Sequence, residues 1–97
     1  MNIEWSSQAN ADAIAIIEYI SRDNPSSALA LIQEIDNQLA KLIEFPEMGR
    51  IVPELNSTLA RELIVKENYR VIYTFATNKI LVASIRHVKR KPLDNDL

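Results

Sequence analysis

The chain contains no cysteine and a single glycine, Gly49, among its 97 residues. The missing cysteine excludes a disulfide framework, a thiolate nucleophile and cysteine-based zinc sites, and it is compatible with a reducing cytosol. With glycine used once, Gly49 is expected where the backbone needs positive φ or a close approach. No apolar run approaches the roughly 18 residues of a membrane span, and Met1 leads into a strand-like segment rather than a basic stretch followed by an apolar one. The expectation is a soluble, unexported, cytoplasmic protein with no membrane partner. There is also no glycine-rich phosphate loop, no metal-ligand spacing and no Ser/His/Asp set, so neither a metal nor a cofactor is expected.

Ninety-seven residues make one domain, able to bury roughly 60–65% of the surface its unfolded chain exposes without a staple. The net charge of −2 hides an asymmetry. Residues 1–58 hold three basic side chains against nine acidic ones, and residues 59–97 hold eight against four. A polyanion would prefer the second part, while the acidic whole weakens long-range attraction to bulk nucleic acid and suits a specific protein target better.

In chain order, residues 1–6 alternate around Ile3 and Trp5 and predict a strand. Residues 7–44 predict a helical hairpin. Ser6 or Ser7 can cap the first helix, whose stripe is Ala13, Ile16, Ile17 and Ile20, with Ile14 and Tyr19 widening the apolar surface toward a partner. Asp23-Asn24-Pro25 stops that helix and starts the next, Asn24 as cap and Pro25 at the first helical position. The second stripe is Ala28, Leu31, Ile32, Ile35, Leu39, Leu42 and Ile43, read with the first as core. Residues 45–58, with Pro46, Gly49 and Pro53, predict a loop.

Residues 59–88 read as a three-stranded meander, with Asn68 and Asn78 taking positive φ in the two turns, and residues 89–97 as a basic tail. Alternation places Tyr69, Val71, Tyr73 and Phe75 on one face of the middle strand, toward the helices, and Arg70 on the other, where it either pairs with neighbouring Glu62 or Glu67 as a solvated sheet charge or is functional. It also groups His87 with Leu81, Ala83 and Ile85, opposite Arg86. Arg61 falls among Leu59, Leu63 and Val65 and is expected to be partly buried and tied to a carboxylate, or else functional. The fold class is α+β: β-α-α-β-β-β, a small antiparallel sheet packed on a helical hairpin.

Several marks in this order carry a resemblance. They are Trp5, Asn24-Pro25, Leu42 followed by Phe45-Pro46-Glu47-Met48-Gly49-Arg50, then Arg61-Glu62-Leu63, Tyr69-Arg70-Val71-Ile72-Tyr73 and Ile85-Arg86-His87. Together they resemble the ParE-like toxins of the RelE/ParE superfamily over nearly the whole chain. The resemblance implies a bacterial type II toxin held in a hetero-oligomer by a cognate antitoxin, whose C-terminal segment wraps the helical hairpin. ParE-like members inhibit DNA gyrase, and RelE-like members cut mRNA on the ribosome; an inactive member would remain an antitoxin-binding module.

A metal-free nuclease needs a base, positive charge at the phosphate and an acid for the leaving oxygen. Arg61, Arg70 and Arg90 fall where the family's basic residues are expected, but no tyrosine follows Tyr73, and His87, the one candidate for a substitute acid, shares its face with apolar residues and is read as structural. The expectation is therefore a gyrase inhibitor that binds without catalysis. Arg70, Arg86, Lys89, Arg90 and Lys91 are the residues expected to contact target or antitoxin, and Gly49 with Arg50 is expected to anchor the loop.

Overall fold

The computed structural model describes residues 2–55 and 59–89. Strand β1 is Asn2–Trp5; helices α1 (Ser7–Ser21) and α2 (Pro25–Glu44) follow, then a short strand β2 (Arg50–Ile51) and a 3-10 turn at Pro53–Leu55. Strands β3 (Ala60–Val65), β4 (Tyr69–Ala76) and β5 (Lys79–His87) complete the fold. The α+β order expected from the sequence is the observed one, with β2 inserted where only loop was expected.

Local chemistry fixes the helix ends. The Ser6 hydroxyl accepts from the Ala9 N–H at 2.9 Å, and the Asn24 side chain accepts from the Ser27 N–H at 3.1 Å with Pro25 next in line. The sheet runs β1-β5-β4-β3-β2. β3, β4 and β5 are antiparallel, β2 pairs antiparallel with β3, and β1 joins β5 in parallel, from Asn2 opposite Lys79 to Trp5 opposite Val82.

The helices cover one face. Leu31, Ile35, Leu39 and Leu42 of α2 pack on Leu63, Val65, Val71, Tyr73, Ile80, Val82 and Ile85, with Tyr69 and Phe75 at the margin, so β4 presents its expected face. Helix α1 buries only Ala9 completely and sits at the periphery. The long stripe of α2 is narrower than the sequence suggested: Ile32 and Ile43 are 39% and 48% exposed. Each follows a buried leucine, and one helical step turns a side chain by about 100° away from the sheet. On the opposite face, Val52 closes over Ala60 and Ile72 in a smaller cluster.

Two local expectations change. Positive φ falls on Lys66 and Glu67 rather than Asn68 in the first turn, and on Asn78 in the second. Val65 pairs with Tyr69, so residues 66–68 all span the first turn, and the Asn68 carbonyl accepts from the Val88 N–H at 2.8 Å. The second change is in β5. Ile72 pairs with Ser84 and Tyr73 with Val82, leaving Ala83 as a bulge. An extra residue inverts the alternation beyond it. Ile80, Val82 and Ile85 therefore all enter the core, and the expected common face of Leu81, Ala83, Ile85 and His87 is split, with Leu81 opposite Thr74 on the other side.

Helix α1 stabilises the bulge with polar groups. The Ser6 hydroxyl donates to the Ala83 carbonyl at 2.8 Å, and Asp12 Oδ2 accepts from the Ile85 N–H at 2.9 Å. No helix among the described residues is long and apolar enough to cross a membrane.

Candidate functional site

On the face away from the helices, four charged side chains from three parts of the chain converge. Glu62 on β3 has a side chain with no solvent exposure; its Oε2 accepts from Arg50 Nε at 2.5 Å and its Oε1 from Arg70 Nε at 2.7 Å. Arg70 also donates from its two Nη atoms to Glu54 at 2.6 and 2.8 Å. Its side chain is 11% exposed, whereas that of Arg50 is 65% exposed. Hydrogen bonding to Glu54 raises the Arg70 pKa against the opposing effect of burial, with Glu62 adding in the same direction. Arg70 thus faces away from the helices as its position in β4 predicts, and its hydrogen-bonding edge is turned inward onto two carboxylates.

Next to this group the loop after α2 is clamped to the sheet. The Tyr73 hydroxyl donates to the Pro46 carbonyl at 2.8 Å and accepts from the Gly49 N–H at 3.0 Å. A Cβ on Gly49 would lie 2.6 Å from Tyr73 Oη and 2.8 Å from the Glu62 carbonyl oxygen, so the glycine serves close approach; its φ is not positive. Burial pushes the Tyr73 pKa above its ordinary value, partly offset by the Gly49 hydrogen bond. Arg61 donates from Nη1 to the carbonyls of Gly49 and Glu47, at 2.8 and 3.3 Å, and its guanidinium carbon lies 6.0 Å from the centre of the Phe75 ring. The expected carboxylate partner of Arg61 is therefore replaced by backbone carbonyls, because the loop residues 47–49 cross directly beside it.

At the end of β5, Arg86 lies opposite Arg70 in register, on the face away from the helices. His87 lies opposite Tyr69 on the helix side, its ring edge-on to the tyrosine at 5.3 Å, with Nδ1 accepting from the Lys89 N–H at 3.1 Å. Lys89 is exposed. Arg90 and Lys91, and with them most of the basic tail, lie outside the described residues. Among the described residues no group of three or more metal-ligating side chains is assembled.

Two grooves flank α1. One runs between α1 and the end of β5, floored by Ile16, Ile20, Tyr69 and Ile85 and rimmed by Asp12, Tyr19, Asp23 and His87. The other lies between α1 and α2, floored by Trp5, Ile17, Leu31 and Ile35 and rimmed by Ile14, Glu18, Ile32 and Asp36. Ile14 and Tyr19, which widen the apolar surface of α1 in sequence, are 59% and 62% exposed on these rims.

The structure brings Arg50 and Arg70 together, places Arg61 beside the loop, and separates His87 from all three. Sequence reasoning passed over Glu54, Tyr73 as a clamp and Asp12 as the support of the bulge. Of the two carboxylates expected as partners of Arg70, Glu62 is the one that pairs with it; Glu54 carried no signal, because the turn that folds it back over the sheet is irregular.

The relatives agree with this architecture. The model of the family described as the ParE toxin of type II toxin-antitoxin systems, parDE, matches residues 3–92. A protein named Toxin RelE2 from Caulobacter vibrioides is 33% identical over 88 residues, covering 91% of this chain and 96% of the relative. Among solved structures, one titled a chromosomal ParDE toxin-antitoxin system from P. aeruginosa superimposes with a TM-score of 0.75 at 23% identity, over 92% of this chain and 97% of that one, which shows the shared fold. The chain belongs to the ParE toxin family of type II toxin-antitoxin systems.

Proposed function

We propose that this toxin acts in the cytoplasm by binding DNA gyrase and inhibiting it, without catalysis of its own, and that a cognate antitoxin neutralises it in a hetero-oligomer. Separation of the groups that a nuclease must bring to one phosphate supports binding over cutting. Arg70 is engaged by Glu54 and Glu62 on one face of the sheet, and His87 stands on the other against Tyr69. Arg61 lies opposite Tyr73 and His87 opposite Tyr69, four residues apart along β4, or roughly 13 Å at the rise of a strand. The cations offered to a target are Arg50, exposed beyond its pair with Glu62, Arg86 on the face away from the helices and the exposed Lys89, and in sequence Arg90 and Lys91 continue the basic run.

The experiment is supercoiling by purified gyrase in the presence of this protein, read with and without trapped cleaved DNA. Loss of supercoiling is expected; unaffected supercoiling would overturn the proposal. The relative named Toxin RelE2 supports a second reading, a ribosome-dependent mRNA interferase using Arg61, Arg70 and either His87 or Arg90. Cleavage of mRNA in the ribosomal A site, with gyrase unaffected, is the outcome that would favour it.

A further inference from the structure

The two carboxylates on Arg70 are held in different ways. Glu62 belongs to β3, its side chain has no solvent exposure, and it also accepts from Arg50, so it is fixed within the sheet. Glu54 belongs to the three-residue turn Pro53–Leu55, and its side chain is 16% exposed. It is the one side chain of that turn directed inward, since Pro53 and Leu55 are both exposed. Glu54 occupies Nη1 and Nη2 of Arg70 at 2.6 and 2.8 Å, an edge of the guanidinium suited to grip a carboxylate with two parallel bonds. Within the group, the charges of Arg50 and Arg70 balance those of Glu54 and Glu62. With Glu54 lifted away, two guanidinium groups would share one carboxylate, and the uncovered edge of Arg70 would require another anion.

We propose that Glu54 stands in for a carboxylate of the target: Arg70 is a binding site that the chain's own turn keeps shut, and an acidic segment of the target protein opens it by taking the place of Glu54. The exchange conserves both N–H···O bonds and the charge balance, so its cost falls mainly on lifting the turn, whose Pro53 and Leu55 already lie in solvent. An intramolecular carboxylate has the advantage of high effective concentration, so a lone surface glutamate does not displace it. A segment with further contacts does, and the surroundings offer them. Ile64, 40% exposed, lies opposite Arg70 on β3, Arg86 lies opposite it on β5, and Arg50 stands on the far side of Glu62. A polynucleotide suits the site less well, because the net charge of −2 weakens attraction to phosphates and the arginine fork is already shaped on a carboxylate. The identity of the target as gyrase rests on the reading above; the carboxylate chemistry rests on the site.

The probes are a fluorescein-labelled peptide of alternating glutamate and leucine, the same peptide with glutamine for glutamate, and a single-stranded DNA oligonucleotide of equal charge, each titrated against the full chain by anisotropy. Glu54→Gln removes the competing charge and should bind the glutamate peptide at least about fivefold more tightly than wild type does, with the glutamine peptide unchanged. Glu44→Gln, an equal charge change at the end of α2, should alter binding by less than about twofold. Arg70→Lys keeps the cation without the fork, so adding it to Glu54→Gln should abolish the gain. A measurement on the wild type needs no variant: saturating glutamate peptide should speed hydrogen exchange at the Leu55 amide, which donates to the Val52 carbonyl at 3.3 Å within the turn. Absence of the gain, an equal gain in Glu44→Gln, its survival in the double variant, a larger gain for the oligonucleotide, or an unchanged Leu55 rate would overturn the inference. Supercoiling by gyrase is read separately, and Glu54→Gln should inhibit at about one-third of the wild-type concentration. Inhibition by wild type that Glu54→Gln does not improve would overturn the inference and leave gyrase as the target; no inhibition by either protein would remove gyrase and leave the peptide result to decide the site.

Discussion

Glu62 and Arg70 meet at 2.7 Å across adjacent strands, with the carboxylate side chain fully buried and the guanidinium side chain 11% exposed. The arginine singled out in sequence as a contact residue is thereby part of what holds the Pro53–Leu55 turn onto the sheet, through Glu54. Glu62→Gln would leave Arg50 and Arg70 sharing a neutral amide. Loss of one member of a buried pair costs about 3–5 kcal/mol, so urea unfolding should show a loss near the lower end, because exposed Arg50 can turn to water. Glu62→Leu combined with Arg70→Met should cost less than the sum of the two single changes.

Gly49→Ala brings a methyl group within 2.6 Å of Tyr73 Oη and 2.8 Å of the Glu62 carbonyl oxygen. Overpacking of this kind costs about 1–3 kcal/mol. Adding Tyr73→Phe removes the hydroxyl but keeps the ring carbon Cε1 and the Glu62 backbone oxygen, both at 2.8 Å, and takes the partner from the Gly49 N–H and the Pro46 carbonyl, so the double variant should be no more stable than Gly49→Ala alone. Full recovery in a thermal melt would show that the strand backbone yields.

How much of this was legible in the sequence divides along physical lines. The 3.6-residue and two-residue periods found both helices and all three long strands, because those patterns record which face is buried. Asn24-Pro25 was readable because its capping chemistry is local. The bulge at Ala83 was not, since it is stabilised by Ser6 and Asp12 from a helix more than 70 positions away. Glu54 was equally hidden: an ion pair spanning 16 residues across an irregular turn leaves no period. The candidate site shows the same division. The basic residues of β3 to β5 were visible, but which of them are already paired is a property of the fold, and Arg70 and Arg61 prove to be engaged internally.

Tyr73 makes stability depend on alkaline pH. Its pKa is raised by burial in the folded chain, so its contribution is fully present below the unfolded value of about 10 and is lost as pH rises through the folded value. The wild-type Tm should therefore fall above about pH 10, and Tyr73→Phe should reduce that fall. At neutral pH the same variant should be less stable by about 1–3 kcal/mol, since the buried Gly49 N–H and the Pro46 carbonyl both lose their partner.

Lys89 offers a functional test that stability does not confound. It is exposed, and among the described residues its hydrogen bond is the one from its backbone N–H to His87 Nδ1. Lys89→Glu should leave the urea midpoint within about 0.5 kcal/mol of wild type while weakening gyrase inhibition several-fold. His87→Gln should spare inhibition, because the ring packs on Tyr69 on the helix side of the sheet. A variant pair with the opposite ranking would place the target surface on the helix side.

Asp12 connects the two halves of the molecule, because its carboxylate accepts from the Ile85 N–H just past the bulge. An unpaired N–H there costs about 1–3 kcal/mol when water cannot reach it. Asp12→Ala should lower stability by about that amount and hasten hydrogen exchange at the Ile85 amide before other β5 amides. Asp12→Asn keeps an acceptor oxygen and should lose much less, which separates the hydrogen bond from the charge. The consequence extends to binding. Helix α1 fully buries only Ala9, so its seat on β5 depends heavily on Ser6 and Asp12, and both grooves lie along its sides. Asp12→Ala should consequently weaken any segment docked on the hairpin more than Asp12→Asn does, although both changes remove the same negative charge from the rim.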